Sequence, residues 1–513
     1  MENFVVILGE LILPVSCAVV VLWVSLRITY SIWWRPRSIG KRLEKQGIRG
    51  PPYKLFFGNQ RENNWVLQQA NSKPINLSHH IVPRIVPFFH KTVNNYGKIC
   101  VTWFGSIPRV IILESQLVRE VLSNKYGHFV KAPQNPLTKL LAHGVASQNG
   151  ERWATKRRIL NPAFHIQKIK GMLPDFIHCC NELIERWEKL EGKELEIFRE
   201  FQNLTADVIS RTAFGSSYKE GRRLFELQGE QANLVSEALQ NFYIPGFRFL
   251  PTQKNKRRKE IDREVRGILK GLIQRRENAI QAGHGNNQDL LGLLLESNNK
   301  EKNYKMTLED LIGECKLFYF AGHETTSVLL TWTLVALSMH PAWQQTAREE
   351  VMRVVGSSST PLTFDHLTNL KVVNMVLHEV LRLYPPVSHI IRQTSARVKL
   401  GGLHFPEGIQ LVLPMIMIHH DRELWGDSVE EFRPERFSQG VSKASIYPLA
   451  FFPFGWGPRF CIGQNFAFIE AKMALAMILQ RFSFCLSPSY VHAPCIKITM
   501  QPQYGVPVIL NKL

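Results

Sequence analysis

One of the cysteines in the C-terminal part of the chain, Cys461, stands in a setting that favours metal binding. Cys461 ends the run Phe454-Gly455-Trp456-Gly457-Pro458-Arg459-Phe460-Cys461, and an amphipathic helix is predicted to begin soon after it, at about Gln464. Amide N–H groups and the dipole of a helix N-terminus stabilise a thiolate, which is the form of cysteine that binds metals. Glycines around the cysteine let the backbone approach a flat cofactor closely.

Two other roles for this cysteine compete with metal binding by one thiolate. Burial in the core is the commoner role of cysteine, and it is assigned to the other seven cysteines of the chain. A zinc site needs further ligands, and the sequence has no Cys-x-x-Cys pair and no His-x-His near Cys461. A site built on one thiolate therefore indicates haem.

A second candidate segment lies on a long predicted helix and reads Ala321-Gly322-His323-Glu324-Thr325-Thr326. The segment resembles the oxygen-activation segment of haem-thiolate monooxygenases, and this resemblance implies that the small residues Ala321 and Gly322 leave space for dioxygen beside the helix. Thr325 can donate a hydrogen bond to the distal oxygen, and Glu324 can relay protons from solvent. In a purely structural interpretation the threonines bond back to the previous turn, and the glutamate is a surface charge. Because Cys461 is present in the same chain, the catalytic interpretation is favoured over the structural one. His323 is assigned no role.

Composition limits the class of protein that must carry these residues. The chain has 513 residues, of which 45% are hydrophobic and 21% charged, which excludes a small module, a disordered chain, a fibrous repeat and a polytopic membrane protein. The formal net charge of +20 indicates an anionic partner, such as a membrane surface or an acidic protein. Eight scattered cysteines do not form a disulfide framework, which indicates a reducing compartment.

The N-terminus is predicted to cross a membrane once. Residues 11–26 carry no charge, and either Leu11–Trp34 or Phe4–Leu26 is long enough to span the bilayer at about 1.5 Å per residue. A cleaved signal peptide would need basic residues before the apolar run, whereas here they follow it. We therefore expect an uncleaved anchor over residues 1–34, a basic, proline-rich hinge over 35–52, and the body on the cytoplasmic side.

Residues 53–513 are predicted to form one catalytic domain, mainly α with small β-sheets. The helical patterns cover Glu151–Phe164, Met172–Leu190, Asn203–Phe214, Arg258–Gln281, Thr307–Met339, Ala342–Val355, Asn374–Tyr384 and Gln464–Arg481. The strand patterns cover Val101–Phe104, Val110–Leu113, Val398–Leu400, Gln410–Pro414 and Val506–Leu510. The basic stretch Gln253–Arg266 is either a solvated helix start or a patch that faces lipid headgroups or an acidic partner.

These motifs together resemble the cytochrome P-450 family of haem-thiolate monooxygenases. The spacing of Phe454, Gly457, Arg459, Cys461 and Gly463 resembles the haem-binding loop of that family, and residues 321–326 resemble its oxygen-activation segment. Residues 379–382 resemble its Glu-x-x-Arg pair, and residues 432–437 resemble the segment whose arginine joins that pair. The resemblance implies a P-450 fold and a structural charge network formed by Glu379, Arg382 and Arg436.

The resemblance also implies which residues hold the cofactor. Haem b would be bound through Cys461, with Phe454 and Gly463 in the loop around it. Its propionates would be bound by Trp153 and Arg157, which match a Trp-x-x-x-Arg pattern, and by Arg392 and Arg459. Pocket lining is expected from Lys131–Val145, Leu234–Phe249, Leu317–Thr325, Val387–Ile391 and Cys495–Thr499.

Within the family, residues 312–322 and 486–494 look like the plant clan 72 branch, close to its 72A subfamily. The resemblance implies hydroxylation or further oxidation of a terpenoid, either a triterpenoid or an iridoid-type monoterpenoid. It also implies NADPH electrons from a separate flavoprotein reductase, a single-pass endoplasmic reticulum protein, a monomer and no nucleic-acid partner. Alternatives are a gibberellin- or brassinosteroid-inactivating oxidase, a haem isomerase or dehydratase that does not activate oxygen, and a non-catalytic terpenoid receptor.

Two local patterns are discounted as sites. His419-His420-Asp421 resembles a metal triplet, but adjacent side chains in a strand point to opposite faces, so ordinary packing is expected. Cys179-Cys180 lies in a helical pattern and is assigned no function.

Overall fold

The protein is mainly helical with small sheets, as predicted. The computed structural model describes residues 2–190, 192–215, 218–240, 246–282, 289–301, 305–357, 360, 362–447 and 449–513, without the side chains of residues 2–13 and 218–220. The α-helices are α1 (Glu2–Thr29), α2 (Arg35–Glu44), α3 (Gln60–Asn71), α4 (Val82–Ile85), α5 (Pro87–Tyr96), α6 (Ser115–Ser123), α7 (Thr138–Leu141), α8 (Gly150–Leu160), α9 (Ile166–Gly171), α10 (Leu173–Glu188), α11 (Ile197–Phe214), α12 (Tyr218–Leu239), α13 (Gln253–Gln281), α14 (Leu290–Lys300), α15 (Leu308–Met339), α16 (Pro341–Val354), α17 (Phe364–Asn369), α18 (Lys371–Leu383), α19 (Met415–His419), α20 (Arg422–Trp425) and α21 (Gln464–Arg481).

The strands form four small sheets within the described residues. They are β1 (Ile99–Phe104), β2 (Ile107–Ile112), β3 (Phe129–Val130), β4 (Glu194–Glu196), β5 (Ile390–Thr394), β6 (Val398–Leu400), β7 (Leu403–Phe405), β8 (Gln410–Leu413), β9 (Phe482–Leu486), β10 (Pro494–Ile496), β11 (Met500–Pro502) and β12 (Pro507–Lys512). The largest sheet has the order β1-β2-β8-β5-β3, in which β2 and β8 run parallel and the other pairs antiparallel. The sheets β6-β7, β10-β11 and β4-β12-β9 complete the set.

The long helix α15 forms the centre of the body. It begins at a capping box in which the Thr307 hydroxyl accepts the Asp310 N–H and the Asp310 side chain accepts the Thr307 N–H. Its second half, from Val328 to Leu337, is buried on every side, as expected for a helix that is apolar all round. α11 packs along α15, and α18 and α21 contact it from other sides. α15 therefore brings its middle turn next to the helix that follows Cys461.

Two predicted helices begin earlier than their apolar pattern indicated. α11 begins at Ile197 instead of Asn203, because the Glu196 carboxylate accepts the N–H groups of the first turn. α13 begins at Gln253 instead of Arg258, because Thr252 caps it through the N–H of Asn255. Capping extended α13 into polar sequence, whereas the added first turn of α11 is amphipathic and buries Ile197 and Phe201.

The N-terminal helix continues directly into the body. α1 passes through a π-helical turn at Tyr30–Trp34 into α2, and among the described residues Pro14–Glu44 is a stretch long and apolar enough to cross a membrane. The segment 35–52, predicted as a hinge, is helical as far as Glu44, and α2 buries Pro36, Ile39 and Leu43. The basic residues after the anchor therefore lie on a helix docked on the body.

Three of the basic side chains in the first turns of α13 have acidic partners. Arg257 binds Glu230 at 2.6 Å, Lys254 binds Glu237 at 2.5 Å, and Arg266 binds Asp262 at 2.8 Å. Arg258 is buried, and one of its N–H groups donates to the Leu234 carbonyl at 2.9 Å. These pairs favour the solvated helix start over a bare cationic patch. Of the predicted lining region Leu234–Phe249, residues 241–245 lie outside the described residues.

Candidate active site

The loop before α21 surrounds Cys461 with protein atoms but leaves its side chain open to solvent. The Cys461 N–H donates to the Phe454 carbonyl at 2.9 Å, which closes the loop around the predicted ligand. Gly457 has a φ of +68°, and a Cβ there would collide with the Leu122 carbonyl at the end of α6. Only glycine permits this approach, so the loop is fixed against α6 and presents its sulfur in a set direction.

Opposing effects act on the pKa of the Cys461 thiol. Burial raises it, whereas hydrogen bonds from the N–H groups of Gly463 and Gln464 and the charge of Arg157 lower it. The net direction is upward. The helix N-terminus therefore acts on the sulfur as predicted, but in the protein alone the removal of water outweighs it. Metal ligation would supply the positive charge that stabilises the thiolate.

A cluster of cations surrounds this loop. The Arg459 guanidinium lies over the Trp153 ring at 4.0 Å, and Arg157 donates to the Phe460 carbonyl at 2.8 Å. Burial lowers the pKa of Arg392 and of Arg459 to about 10. Burial, together with the charges of Arg392 and Arg459, lowers the pKa of Lys131 to about 7. The four predicted propionate-binding residues are therefore brought together, with Lys131 added.

The cation cluster fits a cofactor that carries carboxylates. One N–H-bearing nitrogen of Arg459, Nη1, is buried and has no hydrogen-bond partner among the described residues. Buried cations that repel one another without an acid between them are costly, and a bound dicarboxylate would remove that cost. Together with the thiol of Cys461, this donor set matches haem: one axial sulfur and cations for two propionates.

Sequence reasoning missed Asn149, which holds the cluster in place. Its Oδ1 accepts the N–H of Lys131 at 2.8 Å and an Arg459 N–H at 3.1 Å, and its Nδ2 donates to the Lys131 carbonyl at 2.9 Å. Asn149 precedes α8, where an asparagine normally indicates a helix cap, but its side chain makes no capping bond. No local signal could have shown that it instead joins the loop at Lys131 to Arg459.

The predicted charge network is present, with Glu379 and Arg382 fully buried and Arg436 half-buried. Arg382 binds both carboxylate oxygens of Glu379, at 2.7 and 2.8 Å, and both residues are 0% exposed. The remaining N–H groups of Arg382 donate to the carbonyls of His419, Val429 and Glu431. Arg436 approaches Glu379 at 3.4 Å and also donates to the carbonyls of Trp425 and Ser428. The network therefore ties α18 to the chain that leads into the Cys461 loop.

The residues His419-His420-Asp421 do not form a metal site, as predicted. The prediction that they lie on a strand is wrong. His419 ends the short helix α19, where its Nε2 accepts the Phe452 N–H at 3.2 Å. His420 donates to the Leu383 carbonyl at 3.0 Å. Burial lowers the pKa of both imidazoles to about 3, so both are neutral core residues that join the Cys461 loop and α18.

The oxygen-activation segment differs from expectation in its hydrogen bonds. The Thr325 hydroxyl donates to the Ala321 carbonyl at 2.8 Å, so its proton is used within the helix and its lone pairs remain as acceptors. Glu324 is buried, and its Oε1 accepts hydrogen bonds from Thr499 at 2.6 Å and from Gln501. The purely structural interpretation of Glu324 as a surface charge is therefore wrong, because the β10–β11 hairpin holds the carboxylate inside. Its role as a proton relay stays a prediction.

Ala321 and Gly322 were both predicted to leave space for dioxygen beside α15, but only one of them does. Ala321 is exposed, whereas a Cβ on Gly322 would lie 2.9 Å from the Ile209 side chain of α11. Thr205, also on α11, donates to the His323 carbonyl at 3.0 Å. Gly322 therefore permits close packing of α11, and only Ala321 leaves room on the accessible face.

Comparison with known proteins agrees with this site. Residues 71–504 match the family model described as Cytochrome P450, and the chain therefore belongs to the cytochrome P450 family of haem-thiolate monooxygenases. It is 55% identical to Cytochrome P450 CYP72A616 of Paris polyphylla over 502 residues, which cover 96% of each chain. It is 51% identical to Cytochrome P450 CYP72A219 of Panax ginseng over 515 residues, which cover 98% of this chain and 99% of that one.

A third relative, Cytochrome P450 72A397 of Kalopanax septemlobus, is 51% identical over 492 residues, which cover 94% of each chain. The chain is thus a plant cytochrome P450 of the CYP72A type. The family implies haem, electrons supplied from NADPH through a reductase, and association with a membrane, with which the apolar N-terminal helix is consistent.

Proposed function

We propose that this enzyme hydroxylates or further oxidises a terpenoid, of triterpenoid or iridoid type. Apolar side chains that remain accessible in the predicted pocket lining carry the proposal. Val387 is 41% exposed, and Leu317 and Ile391 are half-buried, so apolar side chains present surface where polycyclic hydrocarbon would bind. The resemblance to the 72A branch, whose members include terpenoid oxidases, supports the same substrate class.

We further propose roles for the chain's own residues. Haem bound through Cys461 supplies the activation of dioxygen. Arg157, Arg392, Arg459 and Lys131 hold the propionates and so fix the ring's orientation. The Thr325 hydroxyl donates its hydrogen bond to the Ala321 carbonyl, so its oxygen can accept a hydrogen bond from water or a protonated group in the cleft. The Glu324 carboxylate, held by Thr499, would be the next group along this proton path.

The substrate class is tested by expressing the full chain in microsomes with a plant reductase. A panel of triterpenoids, iridoids, gibberellins and brassinosteroids is scored by substrate-induced spectral shift and by product mass. A terpenoid that gains one oxygen atom, with NADPH consumed, is the expected result. Turnover of hormones alone would favour the inactivating oxidase instead, and isomerised product without NADPH consumption would favour the isomerase.

Replacing Thr325 by Ala should uncouple the enzyme. Positioned proton-transfer groups contribute about 10²–10⁴-fold, so we expect the product formed per NADPH to fall at least roughly tenfold while peroxide rises. Product, NADPH and peroxide are measured in one assay. Thr346→Ala is the matched control, because Thr346 makes the same back-bond on the distant helix α16. If the variant forms as much product per NADPH as the parent enzyme, Thr325 is not part of the proton path.

Removal of residues before Arg35 should release the enzyme from the membrane and spare haem binding. We propose a single-pass monomer of the endoplasmic reticulum with its body on the cytoplasmic side. α2 is kept in this truncation because its buried face belongs to the body. Sedimentation and the carbon monoxide spectrum are measured, with the full chain as control.

A truncated protein that still sediments with membranes would show a second attachment surface. One candidate for such a surface is the segment Phe242–Leu250, of which residues 242–245 lie outside the described residues. The rest of it is exposed, with Phe249 at 67%. Protease protection of the body inside sealed microsomes would contradict the cytoplasmic orientation.

A further inference from the structure

Two elements that carry predicted or observed members of the cation cluster meet at one buried carboxylate of α15. The first is the segment that runs from Lys131 to Asn149, and the second is α8, which continues from that segment and carries Arg157. Both elements contact Glu314, which is 0% exposed and lies two helical turns before the oxygen-activation segment. Glu314 therefore stands at a junction of the parts that must hold the cofactor.

The segment 131–149 reaches this carboxylate through its backbone. The Val145 N–H donates to the Oε2 atom of Glu314 at 3.0 Å. A Cβ on the neighbouring Gly144 would collide with the same oxygen, and a Cβ on Gly313 of α15 would collide with the backbone carbonyl that precedes Gly144. Glycine at both positions thus permits direct contact between the segment and the helix, and an alanine at either would push them apart.

α8 reaches the same carboxylate through Lys156. This lysine is 1% exposed, and its Nζ lies 2.7 Å from an Asp310 oxygen and 3.4 Å from a Glu314 oxygen. Burial raises the pKa of Asp310, but hydrogen bonds from Lys156 and Thr307 outweigh burial and lower that pKa to about 2. Asp310 is therefore ionised, so Lys156 keeps a charged partner when Glu314 is changed.

The residues next to these contacts belong to the cation cluster. The asparagine that binds both Lys131 and Arg459 lies four residues after Val145. Arg157, which donates to the backbone of the Cys461 loop at 2.8 Å, directly follows the lysine that faces Glu314. Four residues of chain reach only about 14 Å when fully extended, so a displacement of either contact moves the cations beside it.

We propose that Glu314 is a positioning residue, which holds the segment 131–149 and α8 together so that the cations of both elements meet the propionates of the haem. The inference rests on the proposed binding of the propionates by these cations. Glu314 acts through Val145 and Lys156. A buried N–H or ammonium group left without its acceptor costs its full desolvation, so the acceptor fixes where both groups lie.

The test compares Glu314→Leu with Glu314→Gln in the haem-loaded full chain. Leucine is of similar size but leaves the Val145 N–H without its acceptor, whereas glutamine keeps an acceptor oxygen. We expect Glu314→Leu to release haem to excess apomyoglobin at least about tenfold faster than the parent, and Glu314→Gln to stay within about threefold of the parent. The propionate bending band of the resonance Raman spectrum should move in Glu314→Leu only, because that band responds to hydrogen bonds at the propionates.

Gln344→Leu is the matched control. Gln344 is 5% exposed on α16, where its side chain accepts the Phe484 N–H at 3.2 Å and donates to the Phe484 carbonyl at 2.9 Å. The control loses buried hydrogen bonds and should lower the Tm, but it should keep the parental haem release and Raman band. Equal acceleration of haem release in Gln344→Leu and Glu314→Leu would mean that lost stability alone acts, which overturns the positioning role.

Two further comparisons separate the remaining outcomes. A propionate band that does not move in Arg459→Gln contradicts the proposed propionate binding, and a band that moves in Arg459→Gln but not in Glu314→Leu overturns the role of Glu314 alone. If Glu314→Leu accumulates without haem, Gly144→Ala decides, with Gly267→Ala as its control because a Cβ on Gly267 meets open space. Faster haem release in Gly144→Ala alone supports the positioning role, and equal rates in the two variants overturn it.

Discussion

Replacing Cys461 by Ser is expected to abolish the carbon monoxide difference band of the reduced enzyme. The hydroxyl of serine is a far weaker acid than a thiol, so it cannot supply the anionic ligand that the loop presents. The loop itself should survive, because its shape depends on the Cys461 N–H bond to Phe454 and on Gly457, neither of which involves the sulfur. The measurement is the reduced, carbon monoxide-bound spectrum at matched protein concentration.

The matched control is Cys485→Ser. Cys485 is an exposed free cysteine on β9, far along the chain from the loop, and its loss should leave the band unchanged. A Cys461→Ser protein with the parental band would assign the iron to another residue. Loss of the band in both variants would mean that serine disturbs folding in general, and circular dichroism would show it.

Replacing Arg382 by Met should have the largest effect on stability. It leaves Glu379 charged, fully buried and deprived of both hydrogen bonds to the guanidinium. Removing one partner of a buried ion pair costs about 3–5 kcal/mol, a large share of the stability of a folded protein. The backbone carbonyls bound by Arg382 lose their donor as well. We expect a lower Tm and poor retention of haem, measured by thermal unfolding and by haem content.

Two further variants separate this effect from a general loss of charge. Lys300→Met removes one partner of the exposed pair with Glu296, and such helix pairs contribute only about 0.3–0.5 kcal/mol. Replacing Glu379 by Leu together with Arg382→Met removes the stranded charge, so the double variant should be more stable than Arg382→Met alone. A single variant as stable as the parent would mean that Glu379 is neutral or solvated.

Features that depend on neighbours in sequence were predictable. The Cys461 loop, the helix after it and the pair at positions 379 and 382 are set by local spacing, and the structure has all three. Features that depend on distant partners were not. The bond of Asn149 to Arg459 spans 310 residues, and the burial of Glu324 depends on a hairpin near the C-terminus. From residue type alone, Asn149 indicates a helix cap and Glu324 indicates an acid on the surface.

Backbone shape explains the remaining differences. Residues 415–418 are a short apolar run, which suits a strand, yet residues 415–419 form a helical turn. At its end His419 and His420 each bind a backbone group. The small size of Gly322 was assigned to oxygen, but its neighbour is Ile209 of another helix. A small residue in a sequence indicates that another group packs closely against it. Whether that group is a ligand or a side chain of another helix depends on the tertiary packing.

The helix is continuous from α1 through Tyr30–Trp34 into α2, so the anchor is joined to the body by a rigid connection and not by a flexible linker. Each residue of a helix turns its successor by about 100°, so one residue added or lost in that π-helical turn would swing the whole body around the helix axis. The continuous helix also holds the body at one angle to the spanning segment, and that angle would decide which face of the body meets the bilayer.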